Sequence, residues 1–270
     1  MWDINRGLSW IFRGFLLEMM ITTVNTAPQI SAIVVNYNAG GMLRNCIDSL
    51  LNCPLDVEVI AVDNASHDDS LNTVQNLPRV RVILNSANRG FAVACNQGIA
   101  VAQADNLLFL NPDCTFKPGT LTELLNRLRA DAQTGMVGGL LVNPDGTEQG
   151  GGRRAIPTPW RSFVRAFGLS RFANRWPKLF FDFHLHKQPL PSGPIAVEAI
   201  SGACMLVKRA VVGQVGVWDE AYFLHCEDLD WCMRFRLAGW QIHFVPSAKI
   251  THALGVCSRS EERRVGKECW

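Results

Sequence analysis

The sequence predicts an α/β fold: an open, mixed but mostly parallel sheet flanked by helices. Three observations lead there. The apolar runs Ile30–Asn36, 57–62, Val80–Leu84 and Asn106–Leu110 are short, β-branched and nearly continuous, as strands covered on both faces are. Between them lie stretches with helical spacing, such as Leu43, Ile47, Leu50 and Leu51 within 42–52. Each strand-like run closes on turn-forming polar residues, at 37–41, 63–70, 85–90 and 111–113. Strand–helix alternation of this kind builds a sheet covered on both faces, and ligands bind at the carboxyl ends of its strands. The polar strand ends therefore converge on one crevice.

Taken in order, a helix is expected from the 63–70 turn to about Asn76, and another runs through Asn96 to Ala102. Pro118, Gly119 and Thr120 open a helix with Leu121, Leu124, Leu125 and Leu128 on one face. A strand at 137–142 leads to a tight turn at 143–146 and a glycine-rich loop at 150–152. Residues 197–200 lead into the small-residue stretch 201–207, which contains Gly202. The acidic cluster Glu227, Asp228 and Asp230 opens a helix that Gly239 stops, with Trp240 packed in the core and Asp230 paired to Arg234 at i, i+4. An apolar strand at 242–245 precedes His252.

At 270 residues and 48% hydrophobic, the chain buries one large core or two closely packed halves. Its net charge of +2 gives no argument for nucleic acid as a partner. Neither GxGxxG nor GxxxxGK[ST] occurs, so a dinucleotide fold or a P-loop has no support. The nine cysteines stand singly with no CxxC pair, which suits a reducing cytoplasm rather than a disulfide framework or zinc. No apolar run approaches the roughly 18 residues that span a bilayer. Residues 1–28 read as an interfacial amphipathic segment or as an extension upstream of Met19 or Met20. The tail 259–270 resembles a translated library adapter and is expected to be non-native and without function.

Several residues admit two readings. Asp63 at a strand end either accepts hydrogen bonds from a base or ribose, or caps a turn. Asp113, on a Pro-containing turn, either faces a hard cation or is a turn aspartate. Between Arg153 and Phe181 there is no acidic residue, and Arg153, Arg154, Arg161, Arg165, Arg171, Arg175 and Lys178 interleave with Trp160, Phe163, Phe167, Phe172, Trp176, Phe180 and Phe181. That run is either an interfacial helix on an anionic membrane or a loop whose aromatics fill the core.

Five stretches in this order, IVVNYN, VDNASHDDS, NRGFAVACN, LFLNPD and WDEAYFLHCEDLD, resemble family 2 glycosyltransferases of the GT-A fold, with rhamnosyltransferase-like members nearest. The resemblance covers about 30–258 and implies a GT-A domain at 29–258, with a nucleotide-binding half at about 29–115 and an acceptor half at about 116–258. It implies a nucleotide-sugar donor: Val35, Asn36 and Tyr37 at the nucleoside, Asp63 and Asn64 at the base or ribose, and Arg89 and Gly90 along the diphosphate. Asp113 matches the last aspartate of the family's DxD motif, which here reads Asn111-Pro112-Asp113 and so has one carboxylate fewer. A divalent cation, Mg²⁺ or Mn²⁺, is implied at Asp113 and His252. Gly202 allows close approach of the donor sugar or acceptor. Asp228, with Glu227 as the alternative, is the expected base for inverting transfer to a hydroxyl. The implied donor is dTDP-rhamnose and the acceptor a cell-surface polysaccharide or lipid-linked glycan precursor, with the enzyme cytoplasmic and peripheral on the inner face of the plasma membrane through 153–181. A UDP-hexose or UDP-galactofuranose transferase, or a catalytically silent sugar-nucleotide binder, are the alternatives.

Overall fold

Strand alternation decides which helix covers which face. In the computed structural model, which describes residues 27–156, 158–172, 175–176, 185 and 188–253, every residue of β1 (Ile30–Asn36) is buried. Ile30, Ala32 and Val34 join one core cluster with Leu43, Cys46, Ile47 and Leu50 of α1 (Gly41–Leu51). Ile33 and Val35 join the opposite cluster with Ala92, Ala94 and Cys95 of α2 (Phe91–Val101). Period-two alternation thus sends one apolar set to each helix layer. Gly98 of α2 lies so close to the sheet that a Cβ there would stand 2.5 Å from Ile33 Cγ2.

β1 pairs in parallel with β2 (Val57–Asp63) on one side and β4 (Asn106–Leu110) on the other, and β2 pairs in parallel with β3 (Val80–Leu84). The register Asn36↔Asp63 brings those two polar ends side by side. The helix expected to run to about Asn76 is only a 3₁₀ turn, Leu71–Thr73. Its backbone has local competitors: Ser70 Oγ and Ser70 N donate to Asp68 Oδ1, and Thr73 Oγ1 donates to the Ser70 carbonyl.

With β5 (Cys114–Phe116), β6 (Thr134–Val142), β10 (Cys204–Lys208) and β11 (Gln241–His252) the second half of the sheet is mixed, and the order along its main path is β3-β2-β1-β4-β10-β6-β11-β5. β10 runs antiparallel to β4 and β6, while β11 runs parallel to β6 and antiparallel to β5. α3 (Thr120–Ala130) buries Leu121, Leu124, Leu125 and Leu128 in the α1 layer. The turn at 143–146 closes with Gly146 N–H donating to the Asn143 carbonyl, Gly146 having a φ of 86°. β11 is longer than its apolar core suggested; its register shifts between Val245 and Lys249, where Pro246 cannot donate to the ladder. Beyond that shift, the pairing His252↔Cys114 sets His252 beside the 111–113 turn.

β7 (Arg153–Arg154) forms a two-stranded ribbon with β9 (Ala199–Ile200), while β8 (Ile195–Val197) adds to the edge of β11. α4 (Pro159–Ala166) follows β7, and α5 (Arg209–Val215) follows β10. α6 (Glu227–Leu237) lies over Trp218 and Phe109 through Trp231, whose ring sits 4.2 Å and 5.2 Å from theirs. Asp230 pairs with Arg234 at 2.9 Å and Gly239, with φ 85°, ends the helix. Trp240 is partly buried against the same core. Residues 1–26, the tail 259–270 and Lys178, Phe180 and Phe181 lie outside the described residues.

The aromatics of the 153–181 run that the structure describes do not fill the core. α4 turns Val164 fully inward and directs Arg161 to Glu198, leaving Trp160, Phe163 and Phe167 on the outer side, 50%, 44% and 64% exposed. The core-filling reading fails for these three because the inward positions of α4 are already taken by Arg161 and Val164.

Candidate active site

The carboxyl ends of β1 and β2 meet in a buried polar knot. Asn36 Nδ2 donates to Asp63 Oδ1 at 2.6 Å and lies 3.0 and 2.9 Å from the Ser66 and Ser70 hydroxyls. Asp63 also accepts from Ser66, through the backbone N–H at 3.0 Å and the hydroxyl at 2.7 Å. Asp63 therefore caps the turn after β2, as one of its two readings held. Asn36 Oδ1 is buried with no protein partner. Val35 lies in the α2-side core, and Tyr37, which follows Asn36, is half-buried.

Asn64 ties this knot to the next turn: its Nδ2 donates to the Gly90 carbonyl at 3.1 Å, and its Oδ1 accepts from Asn85 at 2.8 Å. Arg89 is exposed. Gly90, with φ 87°, cannot be larger, because a Cβ would stand 2.7 Å from the Phe223 carbonyl that caps Phe91 N–H. This contact joins the Arg89–Gly90 turn to the loop that leads into Glu227.

At the end of β4, Asn111, Asp113 and His252 come together. His252 Nε2 is 3.2 Å from Asp113 Oδ1 and 3.4 Å from Asn111 Nδ2. Gln149, which the sequence did not single out, sets the chemistry here. Its Nε2 donates to Asn143 Oδ1 and the His252 carbonyl, so its Oε1 faces His252 Nδ1 at 2.6 Å. Nδ1 then donates to that oxygen, which leaves Nε2 as the ring nitrogen facing the Asp113 carboxylate. Two lone pairs at that distance repel unless a proton or cation stands between them. The residues present thus fit a hard cation bound by Asp113 and His252, with Asn111 beside them. Cys114 is close enough to count as a third ligand. Its thiol instead donates to the Ala203 carbonyl, and burial holds its pKa well above the ordinary value, so it keeps its proton.

The acid pair begins α6. His225 and Cys226, with φ of 70° and 67°, both lie in the left-handed region just before Glu227. For non-glycine residues this costs about 1–2 kcal/mol each, strain that clusters at functional sites. Asp228 Oδ2 accepts from Gly202 N–H at 3.0 Å and from Arg154 Nη2, and Oδ1 accepts from Leu229 N–H. The close approach that Gly202 permits is thus to Asp228, whose Cβ would lie 3.2 Å from an added Cβ. Glu227 is buried with its Oε2 lacking a protein partner, and desolvation chiefly raises its carboxyl pKa. A backbone hydrogen bond to its carboxylate opposes this, the neighbouring Asp228 charge raises it further, and His225 and Arg154 lower it by smaller amounts. Ser201–Ala203 bridges the two clusters, since Asn111 N–H donates to the Ala203 carbonyl while Gly202 holds Asp228. Arg154 and Gln149 carried no sequence motif; only the fold gives them partners.

The class follows first from the fold: the chain superposes with TM-score 0.62 and 15% identity on "GalNAc-T7 with UDP, GalNAc and Mn2+", covering 84% of this chain and 44% of that one. It superposes with TM-score 0.59 and 18% identity on the mannosyltransferase PcManGT of Pyrobaculum calidifontis in complex with GDP-Man and Mn²⁺, covering 88% of this chain and 61% of that one. The fold is that of the GT-A glycosyltransferases. The sequence profile of Glycosyl transferase family 2 matches residues 31–215, and the chain belongs to that family. Among its relatives, the N-acetylglucosaminyl-diphospho-decaprenol L-rhamnosyltransferase of Mycobacterium tuberculosis is 32% identical over 236 residues, 83% of this chain and 75% of the relative. Rhamnosyltransferase WbbL of Escherichia coli is 27% identical over 176 residues, 61% of this chain and 59% of that protein.

Proposed function

We propose that this glycosyltransferase moves L-rhamnose, with inversion, from dTDP-rhamnose to a hydroxyl of a lipid-linked glycan precursor. The donor and acceptor classes rest on the rhamnosyltransferase relatives. The observation that carries the chemistry is the juxtaposition of a cation-ready Asp113–His252 pair with an acid pair held across Gly202. The catalytic domain is 29–258, with donor contacts before about residue 115 and acceptor contacts after it.

In this reading the crevice beside Asn36, Tyr37 and Asp63 takes the nucleoside, and the exposed Arg89 guanidinium faces the diphosphate. Asp113 and His252 would hold Mg²⁺ or Mn²⁺, which when bound offsets the charge gathering on the leaving nucleoside diphosphate. An acceptor hydroxyl is a poor nucleophile at neutral pH and needs a carboxylate to take its proton as the new bond forms. Asp228 is that base: Arg154, Gly202 and Leu229 fix its carboxylate, leaving one acceptor direction of about four for the hydroxyl. Glu227 gives a second reading, supported by its partnerless buried oxygen and raised pKa, both suited to a base. The enzyme works on the cytoplasmic side, peripheral to the membrane through the 153–181 segment.

The donor is tested by release of nucleoside diphosphate from dTDP-rhamnose and from a panel of UDP-hexoses and UDP-galactofuranose, with Mg²⁺ or Mn²⁺ and a prenyl-diphosphate-linked N-acetylglucosamine acceptor. Fastest acceptor-dependent release from dTDP-rhamnose is expected. Faster turnover of any UDP-sugar overturns the rhamnose assignment.

A further inference from the structure

The geometry points to the outer face of α4 as a docking surface for an anionic lipid bilayer, built from Trp160, Phe163 and Phe167. The rings form a contiguous row, with centroids 5.5 Å apart from Trp160 to Phe163 and 4.4 Å from Phe163 to Phe167. Their spacing of i, i+3 and i+7 places them on one side of the chain as it leaves the helix. An ordinary surface helix turns its apolar side to the core; here the side towards the core carries Val164 and Arg161, and the aromatics face water. A contiguous exposed aromatic face marks an interaction site.

The inner side explains why the helix keeps this orientation. Arg161 grips both carboxylate oxygens of Glu198, at 2.6 and 2.8 Å, and also donates to the Ile156 carbonyl. Glu198 Oε2 in turn accepts from Ile156 N–H. The polar anchor thus fixes the aromatic side outward.

Charge selects the occupant. Arg171 and Arg175, which follow α4 in the chain, are exposed and lie over the rings of Phe172 and Trp176, at 4.9 and 5.4 Å. From Arg153 to Phe181 no acidic residue opposes them. Exposed tryptophan and phenylalanine with arginine, and no carboxylate, complement an anionic headgroup layer. The position fits as well. Arg154, which holds Asp228, and Trp160 are joined by a chain that spans at most about 20 Å. The acid pair therefore lies close above the surface where a lipid-linked acceptor would present its sugar; this placement, though not the docking itself, rests on the function proposed above.

The test combines flotation with hydrogen exchange of the full chain. Vesicles of phosphatidylglycerol and phosphatidylethanolamine are compared with phosphatidylcholine alone. The anionic vesicles are expected to carry the protein up, less so at high salt, and to protect amides within 159–176. A W160S/F163S/F167S variant is expected to bind at least tenfold more weakly while keeping its melting temperature and its release of nucleoside diphosphate with a soluble acceptor. Absence of protection in 159–176, equal flotation of the variant, or a dimer that the variant dissolves would each overturn the proposal. Loss of transfer with flotation intact would count against the function alone.

Discussion

The ring of His252 is oriented by its hydrogen bond with Gln149, and the proposed cation site at Asp113 and His252 relies on that orientation. A ligand histidine whose second nitrogen loses its partner typically loses about 10–100-fold in metal affinity. Gln149→Leu is therefore expected to weaken Mn²⁺ binding by that factor in the presence of a nucleoside diphosphate, read by calorimetry; unchanged affinity would mean that Gln149 does not orient the ring. At Glu227 the buried carboxyl has its pKa raised above the ordinary 4.5. The folded protein therefore holds this proton more tightly than the unfolded chain, and stability falls as pH rises from 4.5 through the raised value. Glu227→Gln removes that dependence. Its melting-temperature advantage over wild type is expected to grow with pH across this window and then level off. A pH-independent difference would contradict the assignment.

At the scale of elements, the close seating of α2 on β1 depends on Gly98. A methyl group there meets Ile33 Cγ2 at 2.5 Å, well inside contact distance. Gly98→Ala is expected to cost about 1–3 kcal/mol by overpacking, read from denaturant unfolding; a neutral or stabilising result would show that the helix moves freely. The parallel half was legible because Ile30–Asn36 and Asn106–Leu110 are buried runs whose composition alone marks them; Val80–Leu84 has the same β-branched composition but, as the edge strand, is half-buried to exposed rather than covered on both faces. The 3₁₀ turn at Leu71–Thr73 was not legible as such: helical spacing said nothing of the Asp68–Ser70 bonds that compete with a helix. β11 was read short because Pro246 interrupts an apolar pattern that resumes after a register shift. α4 carried a readable period, but its inward side required Glu198, about forty residues on, which no local pattern connects to Arg161.

On the scale of the molecule, the site lies where a parallel half-sheet meets a mixed one. β4 belongs to both, pairing in parallel with β1 and antiparallel with β10. Its end supplies Asn111, and the turn after it supplies Asp113; β10 is entered through Ser201–Ala203, which hold Asn111 and Asp228. Motif order along the chain named the candidate residues. Only the three-dimensional arrangement joined Asp228 to Arg154 and His252 to Gln149, partners separated by long stretches of chain. In the proposed reaction the acid at the head of α6 takes the acceptor's proton, while the donor is held independently at the strand ends. Single-turnover transfer by wild type, Asp228→Asn and Glu227→Gln, with donor affinity measured alongside, tests it most directly. A loss of about 10²–10⁴-fold in rate for Asp228→Asn, with donor affinity within about twofold of wild type, is the predicted result. A rate near wild type for Asp228→Asn would contradict its role as the base, and the same large loss in Glu227→Gln alone would move the base to Glu227.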